Sequence, residues 1–208
     1  MNNQNKKLII FDFDGVLANT EKFCFDLHKK SNKNLSWSEF QGFCNGNFVD
    51  GIAKAINEKS HVIPDNFYDK YEKEIEKITV NSSIYETVKS LSENFIICIV
   101  SSTESYLIKN FLIKEKLDNY FSDILGADIH KDKTVKINSL LEKYNINSNN
   151  VVFITDSLGD ILEGNKCGVK SIGVTWGIHN EKNLEKGNPV AIIDDPMKLL
   201  DIIQNVVK

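Results

Sequence analysis

The sequence contains no arginine: all 25 basic residues in its 208 positions are lysines. Any site for an anion must therefore use lysine, hydroxyls, backbone N–H groups or a metal, because the planar two-pronged guanidinium is missing. Net charge is only −4, and no tract concentrates positive charge. That balance gives no general attraction to nucleic acid or to an anionic membrane surface. The four cysteines, Cys24, Cys44, Cys98 and Cys167, form no C-x-x-C pair. Cys98 lies within an apolar run and reads as a small buried hydrophobe. No apolar stretch approaches membrane-spanning length, and the polar opening MNNQNKK leads into a segment too short for a signal sequence. The expectation is a soluble cytoplasmic protein with reduced thiols, acting as a monomer or homodimer without nucleic-acid or membrane partners.

What is present is a core-forming composition, 41% hydrophobic, in a chain long enough for one domain with an insertion or for two small domains. Short apolar runs occur at 8–11, 95–100, 151–154, 171–174 and 190–193, with a weaker one at 123–127. Their apolarity is continuous rather than alternating, as in parallel strands covered on both faces. Helical patterns separate them at 104–116, 134–144 and 158–167, and another closes the chain at 196–207. This alternation predicts an α/β fold built on an open, mainly parallel sheet. Residues 16–93 break the rhythm. They contain no convincing strand and read as helices at 20–30, 36–43, 48–59 and 65–79, with 85–93 returning to the sheet. Ser36 and Glu39 fit a capping box, and Pro64 precedes the last insertion helix. The predicted division is a core of 1–15 and 82–208 with a helical insertion at 16–81.

Polar residues gather where strands end. The first strand runs into Asp12, the second into Ser101, Ser102 and Thr103, and the fourth into Thr155, Asp156 and Ser157. Ligands of open α/β sheets bind beyond these carboxyl ends. Each residue alone is also an ordinary turn or N-cap residue. In "FDFDG", Asp12 and Asp14 can project to one side, and two close carboxylates need a cation or a proton between them. Gly15 permits a backbone turn that could present N–H groups to an anion. Asp156 and Asp160 form D-x-x-x-D in "FITDSLGDI". Asp160 suits either the helix dipole or a cation, and Asp156 suits a hard cation such as magnesium. In "HKDKTVK", Lys133 precedes an amphipathic helix and could reach a phosphoryl oxygen, with Lys131 and Lys136 as competitors.

Taken in order, these motifs resemble the haloacid dehalogenase superfamily over nearly the whole chain, in particular its phosphoglycolate-phosphatase-like members. "FDFDGVLANTE" is similar to the family's first motif, Ser101 in "IVSST" to the second, Lys133 to the third, and Asp156 with Asp160 to the fourth. "NKCGVKSIGVTWG" is similar to the segment that follows in those members. The chain departs from the pattern in two places: Thr155 stands before Asp156 where glycine is usual, and Thr134 follows Lys133 where proline is common.

The resemblance implies a Rossmann-like doubly wound core with a small all-helical cap inserted after the first strand. It implies Asp12 as nucleophile, Asp14 as general acid/base and Mg²⁺ held by Asp12, Asp14 (through its carbonyl), Asp156 and Asp160. Ser101, Ser102, Lys133 and Gly15 would hold the phosphate of a small phosphorylated metabolite. The implied reaction is hydrolysis of a phosphomonoester through an aspartyl-phosphate. A dehalogenase would not need Asp14. A sugar-phosphate mutase like β-phosphoglucomutase would carry a histidine in the first cap helix where Cys24 stands, with His28 one turn on. A binding module with an unused site is the reading from another class. Phe43, Asn45, Asn47 and Phe48 are candidates to face the leaving group, and Trp176 and His179 suit packing or surface equally.

Overall fold

The computed structural model describes residues 7–207; the polar opening segment before Lys7 lies outside the described residues. Six strands form one parallel sheet: β1 (Leu8–Phe11), β2 (Ile96–Val100), β3 (Asp123–Leu125), β4 (Val151–Thr155), β5 (Lys170–Val174) and β6 (Ala191–Ile193). Their order is β3-β2-β1-β4-β5-β6, the doubly wound arrangement the sequence predicts. The strands read as unbroken apolar runs because both faces are buried. Ile9, Phe11, Ile97, Ile99, Val152 and Ile154 belong to the larger core, packed on α5 (Ser82–Ser92), α6 (Ser105–Glu115) and α10 (Leu199–Val206). Leu8, Ile10, Cys98, Val100, Val151 and Phe153 face the other way, toward α7 (Lys133–Tyr144). Each fully buried side chain of this kind contributes about 1.5–3 kcal/mol relative to exposure. α8 (Leu158–Lys166) links β4 to β5, and a short α9 (Glu181–Leu184) that the sequence pattern does not anticipate lies before β6.

Between β1 and α5 the chain forms four helices: α1 (Glu21–Ser31), α2 (Trp37–Phe43), α3 (Phe48–Asn57) and α4 (Phe67–Ile75). The Ser36–Glu39 capping box opens α2 with both reciprocal bonds made. α4 is shorter than the expected 65–79. Lys114 Nζ on α6 donates to the carbonyls of Ile75, Glu76 and Ile78, so a tertiary partner satisfies the helix end and the chain turns there. The closing segment also differs: Pro196–Lys198 is a separate 3₁₀ turn capped by Asp195, and α10 begins only at Leu199.

These helices have a small aromatic core of their own. His28 and His61 are both buried in it, with His28 Nδ1 2.9 Å from His61 Nε2. The rings of Phe40 and Phe67 stack about His28, and that of Phe43 about His61. Phe40 and Leu35 join Ile178, from the loop after β5, in a cluster that ties the insertion to the sheet.

Candidate active site

β1 and β4 are neighbours in the sheet, although the connections from them run to opposite sides, so a crevice opens beyond their carboxyl ends. Asp12 prolongs β1, its N–H donating to Ile154 O at 2.9 Å. Asp156 follows β4, and Asp160 lies in the first turn of α8, where Ser157 caps the helix by accepting from Asp160 N at 3.1 Å. Carboxylate oxygens of Asp12, Asp156 and Asp160 all lie within 4.8 Å of one another, and all three residues are buried.

Each carboxylate is held. Asp12 Oδ1 accepts from Phe13 N at 2.7 Å, and its Oδ2 lies 2.9 Å from Lys133 Nζ. Asp160 Oδ2 accepts from Lys133 Nζ at 2.7 Å and from Thr155 Oγ1 at 2.7 Å. Asp156 Oδ2 accepts from Ile178 N at 2.7 Å. One ammonium thus contacts two of the three buried carboxylates, Asp12 and Asp160, and among the described residues Asp156 is held by a backbone N–H alone. Burial and the neighbouring Asp160 and Asp156 push the Asp12 carboxyl well above its ordinary range against the pull of Lys133. Burial raises Asp156 to about 8, with Asp160 adding to the rise. Burial also opposes charge on Asp160, but Lys133 and its hydrogen bonds hold that carboxyl low. Burial likewise works against the charge on Lys133, yet Asp12 and Asp160 outweigh it and keep the ammonium protonated. The cluster has more negative charge than its own cation compensates, and its donors are all hard oxygens, which is what a small divalent cation relieves.

Asp14 points elsewhere. Its Oδ1 accepts from Thr20 Oγ1 and Tyr71 OH, both at 2.6 Å, and its Oδ2 from Thr103 Oγ1 at 2.7 Å. Thr20 precedes α1 but makes no side-chain cap bond there, because its hydroxyl is committed to Asp14. Tyr71 comes from α4, so the insertion reaches this carboxylate directly. Ser101 is fully buried with its hydroxyl 3.4 Å from Asp14 Oδ2, too long for a strong bond, while Ser102 lines the open crevice.

Three sequence expectations resolve differently in space. The Gly15 N–H is not free for an anion, since it donates to Ala18 O at 2.8 Å. Glycine is required there for two other reasons: φ is +69°, and a Cβ would sit 1.9 Å from Asp156 Oδ2. The competing lysines also separate. Lys131 is exposed and pairs with Asp50 at 3.1 Å, whereas Lys136 is buried behind the site and donates to the carbonyls of Ser101 and Gly126. Burial, with Lys133 nearby, lowers Lys136 to about 8. Of the four residues expected to face a leaving group, only Phe48 borders the crevice. Asn47 instead caps α3 and donates to Lys131 O and Glu163 Oε1, and Phe43 packs on His61.

The crevice continues under α1–α4 as a chamber of about 500 Å³. Its roof is fastened to the core at several points. Gly159 N donates to Cys44 O at 2.9 Å, and Gln41 Nε2 donates to Ile178 O at 2.5 Å. His179 accepts from Leu158 N through Nδ1, so its Nε2 carries the proton and donates to Gln41 O at 3.1 Å. His179 is thus a buried pin, and Trp176 donates to Val16 O. Cys24 borders the chamber with its thiol pushed up by burial and then by Asp14, so it is no thiolate nucleophile. Tyr71 and Thr20 are the contributors that sequence reasoning misses, while Thr103 and Thr155 are read there only as polar residues at strand ends. Thr20 sits inside a quoted motif, but Tyr71 carries no local signal, being one aromatic on the buried face of an amphipathic helix.

Comparison with known proteins identifies the family and the fold. Residues 9–174 match the family model described as haloacid dehalogenase-like hydrolase. A phosphoglycolate phosphatase of Vibrio vulnificus strain YJ016 is 26% identical over 227 residues, covering 98% of each chain. Among solved structures, a hydrolase from Pseudomonas syringae superposes with a TM-score of 0.79 at 18% identity, covering 98% of this chain and all of that one. A candidate β-phosphoglucomutase from Thermotoga maritima gives 0.69 at 21% identity, covering 96% of this chain and 99% of that one.

Proposed function

Since the chain belongs to the haloacid dehalogenase-like hydrolase family, we propose that it is a Mg²⁺-dependent phosphatase that hydrolyses a small phosphomonoester through an aspartyl-phosphate on Asp12. The observation that carries this reading is the division of labour between two aspartates one residue apart. Asp12 joins a buried carboxylate cluster suited to a cation, while Asp14 is turned into a ring of hydroxyl donors. The relatives described as phosphatases support the same reaction class.

Asp12, Asp156 and Asp160 would hold Mg²⁺ with help from the Asp14 carbonyl. When bound, the ion neutralises charge so that a carboxylate can approach a phosphate dianion. An Asp12 oxygen forms a bond to phosphorus as the ester P–O bond breaks, and Asp14 gives its proton to the departing alkoxide. Asp14 then takes a proton from water, whose oxygen bonds to phosphorus and displaces Asp12 with release of phosphate. Lys133, Ser101 and Ser102 supply donors to the phosphoryl oxygens. Gly15 has a spacing role, leaving room for Asp156. Residues 16–81 act as the cap that excludes bulk water during the reaction.

A mutase is the second reading, favoured by the β-phosphoglucomutase-like neighbour. Cys24 at the position where such mutases are expected to carry histidine weighs against it. Phosphate release from a panel of small phosphomonoesters, with and without Mg²⁺, tests the proposal. Metal-dependent turnover is expected, and Asp12→Asn should abolish it with circular dichroism and Tm retained. A sugar 1-phosphate returned as its isomer would favour the mutase, and turnover by Asp12→Asn would remove Asp12 as nucleophile.

A further inference from the structure

The chamber beyond the carboxylates is lined by apolar side chains from the insertion, among them Phe48, Ile52, Ile56, Ile63, Phe67 and Tyr68. Three of these are uncovered for their type: Ile56 is 37% exposed, Ile63 50% and Tyr68 46%. Apolar side chains from two helices and their connecting loop that converge on one cavity while still meeting water mark a ligand surface better than scattered exposure would.

The charges around the chamber run the other way from those a dianionic metabolite with a second carboxylate would need. Among the described residues its lysines are Lys133, engaged by Asp12 and Asp160, and Lys131, paired with Asp50. The remaining charged groups are acidic. Glu104 lines the chamber, and Glu21 places Oε2 where it is buried without a hydrogen-bond partner among the described residues. With no arginine in the chain, there is no further guanidinium to recruit. A carboxylate on the leaving group would be desolvated against like charge.

We infer that the substrate is the phosphate ester of an apolar, uncharged alcohol, with the phosphate at Asp12 and Lys133 and the alcohol's hydrocarbon or aromatic body among Phe48, Ile52, Ile56 and Ile63. This deepens the phosphatase reading and rests on it. It also separates this chain from its phosphoglycolate phosphatase relatives, whose named substrate has a carboxylate in the leaving group.

The test compares 2-phenylethyl phosphate, ethyl phosphate and 2-phosphoglycolate. The first two release alcohols of similar acidity, so a difference between them reports the pocket rather than the leaving group. kcat/KM for 2-phenylethyl phosphate should exceed that of either alternative on the order of tenfold or more. The matching non-hydrolysable phosphonates (3-phenylpropylphosphonate, propylphosphonate and 3-phosphonopropionate) should bind the wild-type protein in the same order by calorimetry. Ile56→Lys, at a half-exposed position, should weaken 3-phenylpropylphosphonate and tighten 3-phosphonopropionate. Equal binding of all three phosphonates, or a preference for 3-phosphonopropionate, overturns the inference. If no ester is turned over, the phosphatase reading fails, and the phosphonate order still decides what the pocket accepts.

Discussion

His28 is a histidine that folding keeps neutral. It is 4% exposed, packed between Phe40 and Phe67, and bonded to a second histidine. Burial first, and then the proximity of His61, lower its pKa to about 4. An unperturbed histidine titrates near 6.5, so below that pH the unfolded chain binds a proton that the folded chain refuses. The stabilisation is therefore present above pH 6.5 and is lost as pH falls toward 4. The whole shift corresponds to about 3 kcal/mol, and about 2 kcal/mol of it should disappear between pH 7 and pH 5. Other acidic and basic groups titrate in that interval too, so the informative quantity is a difference. Urea unfolding of the wild type and of His28→Gln, each at pH 7 and pH 5, isolates the histidine, since glutamine keeps a polar partner for His61. The variant should lose about 2 kcal/mol less on acidification. Imidazole chemical shifts should also show His28 neutral at pH 5. Parallel losses in the two proteins, or a His28 resonance with its midpoint near 6.5, would refute the reasoning.

Three further outcomes follow from the site. Mg²⁺ at about a hundred times its Kd should add about 2.7 kcal/mol of stability, a Tm rise of roughly 5–10 °C for a chain of this size. Asp156→Asn should remove most of that rise, and an unchanged shift would dissociate Asp156 from the metal. Gly15→Ala should forfeit about 1–2 kcal/mol through its positive φ alone, and because its Cβ displaces Asp156, turnover should be lost with it; wild-type activity would contradict the close approach. Tyr71→Phe removes a short bond to Asp14, the kind worth about 1.5–3 kcal/mol when one partner is charged, so kcat should fall about tenfold or more with KM little changed and the pH–rate profile displaced. A rise in KM alone, with the profile unmoved, would assign Tyr71 to packing.

The sheet was legible because its central strands are covered on both sides, whereas the half-buried edge strand β3 carries only a weak apolar run. Leu8–Phe11 and Val151–Thr155 are uniformly buried, so the code they carry is continuous apolarity and needs no partner to be read. The ends of α4 and α10 were harder, since each depends on a distant or local group that overrides helical pattern, Lys114 in one case and Asp195 with Pro196 in the other. At the site, the order of motifs carried Asp12, Asp14, Lys133, Asp156 and Asp160 into proximity, because topology turns strand ends into neighbours. The direction of each side chain was not carried by that order. Asp14 faces Tyr71 and Thr103, from α4 and the loop after β2, and only the closed arrangement of the insertion on the sheet brings those hydroxyls to it.

The pairing of β1 with β4 also has a cost during synthesis. β1 leaves the ribosome before the other five strands of the sheet, yet the strand that completes its other flank pairs Leu8 with Val151. The roughly 140 residues between them, at ~5–20 residues per second, take on the order of ten seconds to emerge. Through that interval β1 can be covered on one edge only, by β2, and neither Asp156 nor Asp160 has yet been made. A chain interrupted before β4 is therefore a sticky half-sheet with an incomplete charge cluster. Truncation anywhere between α6 and β4 should yield aggregation rather than a partly active enzyme.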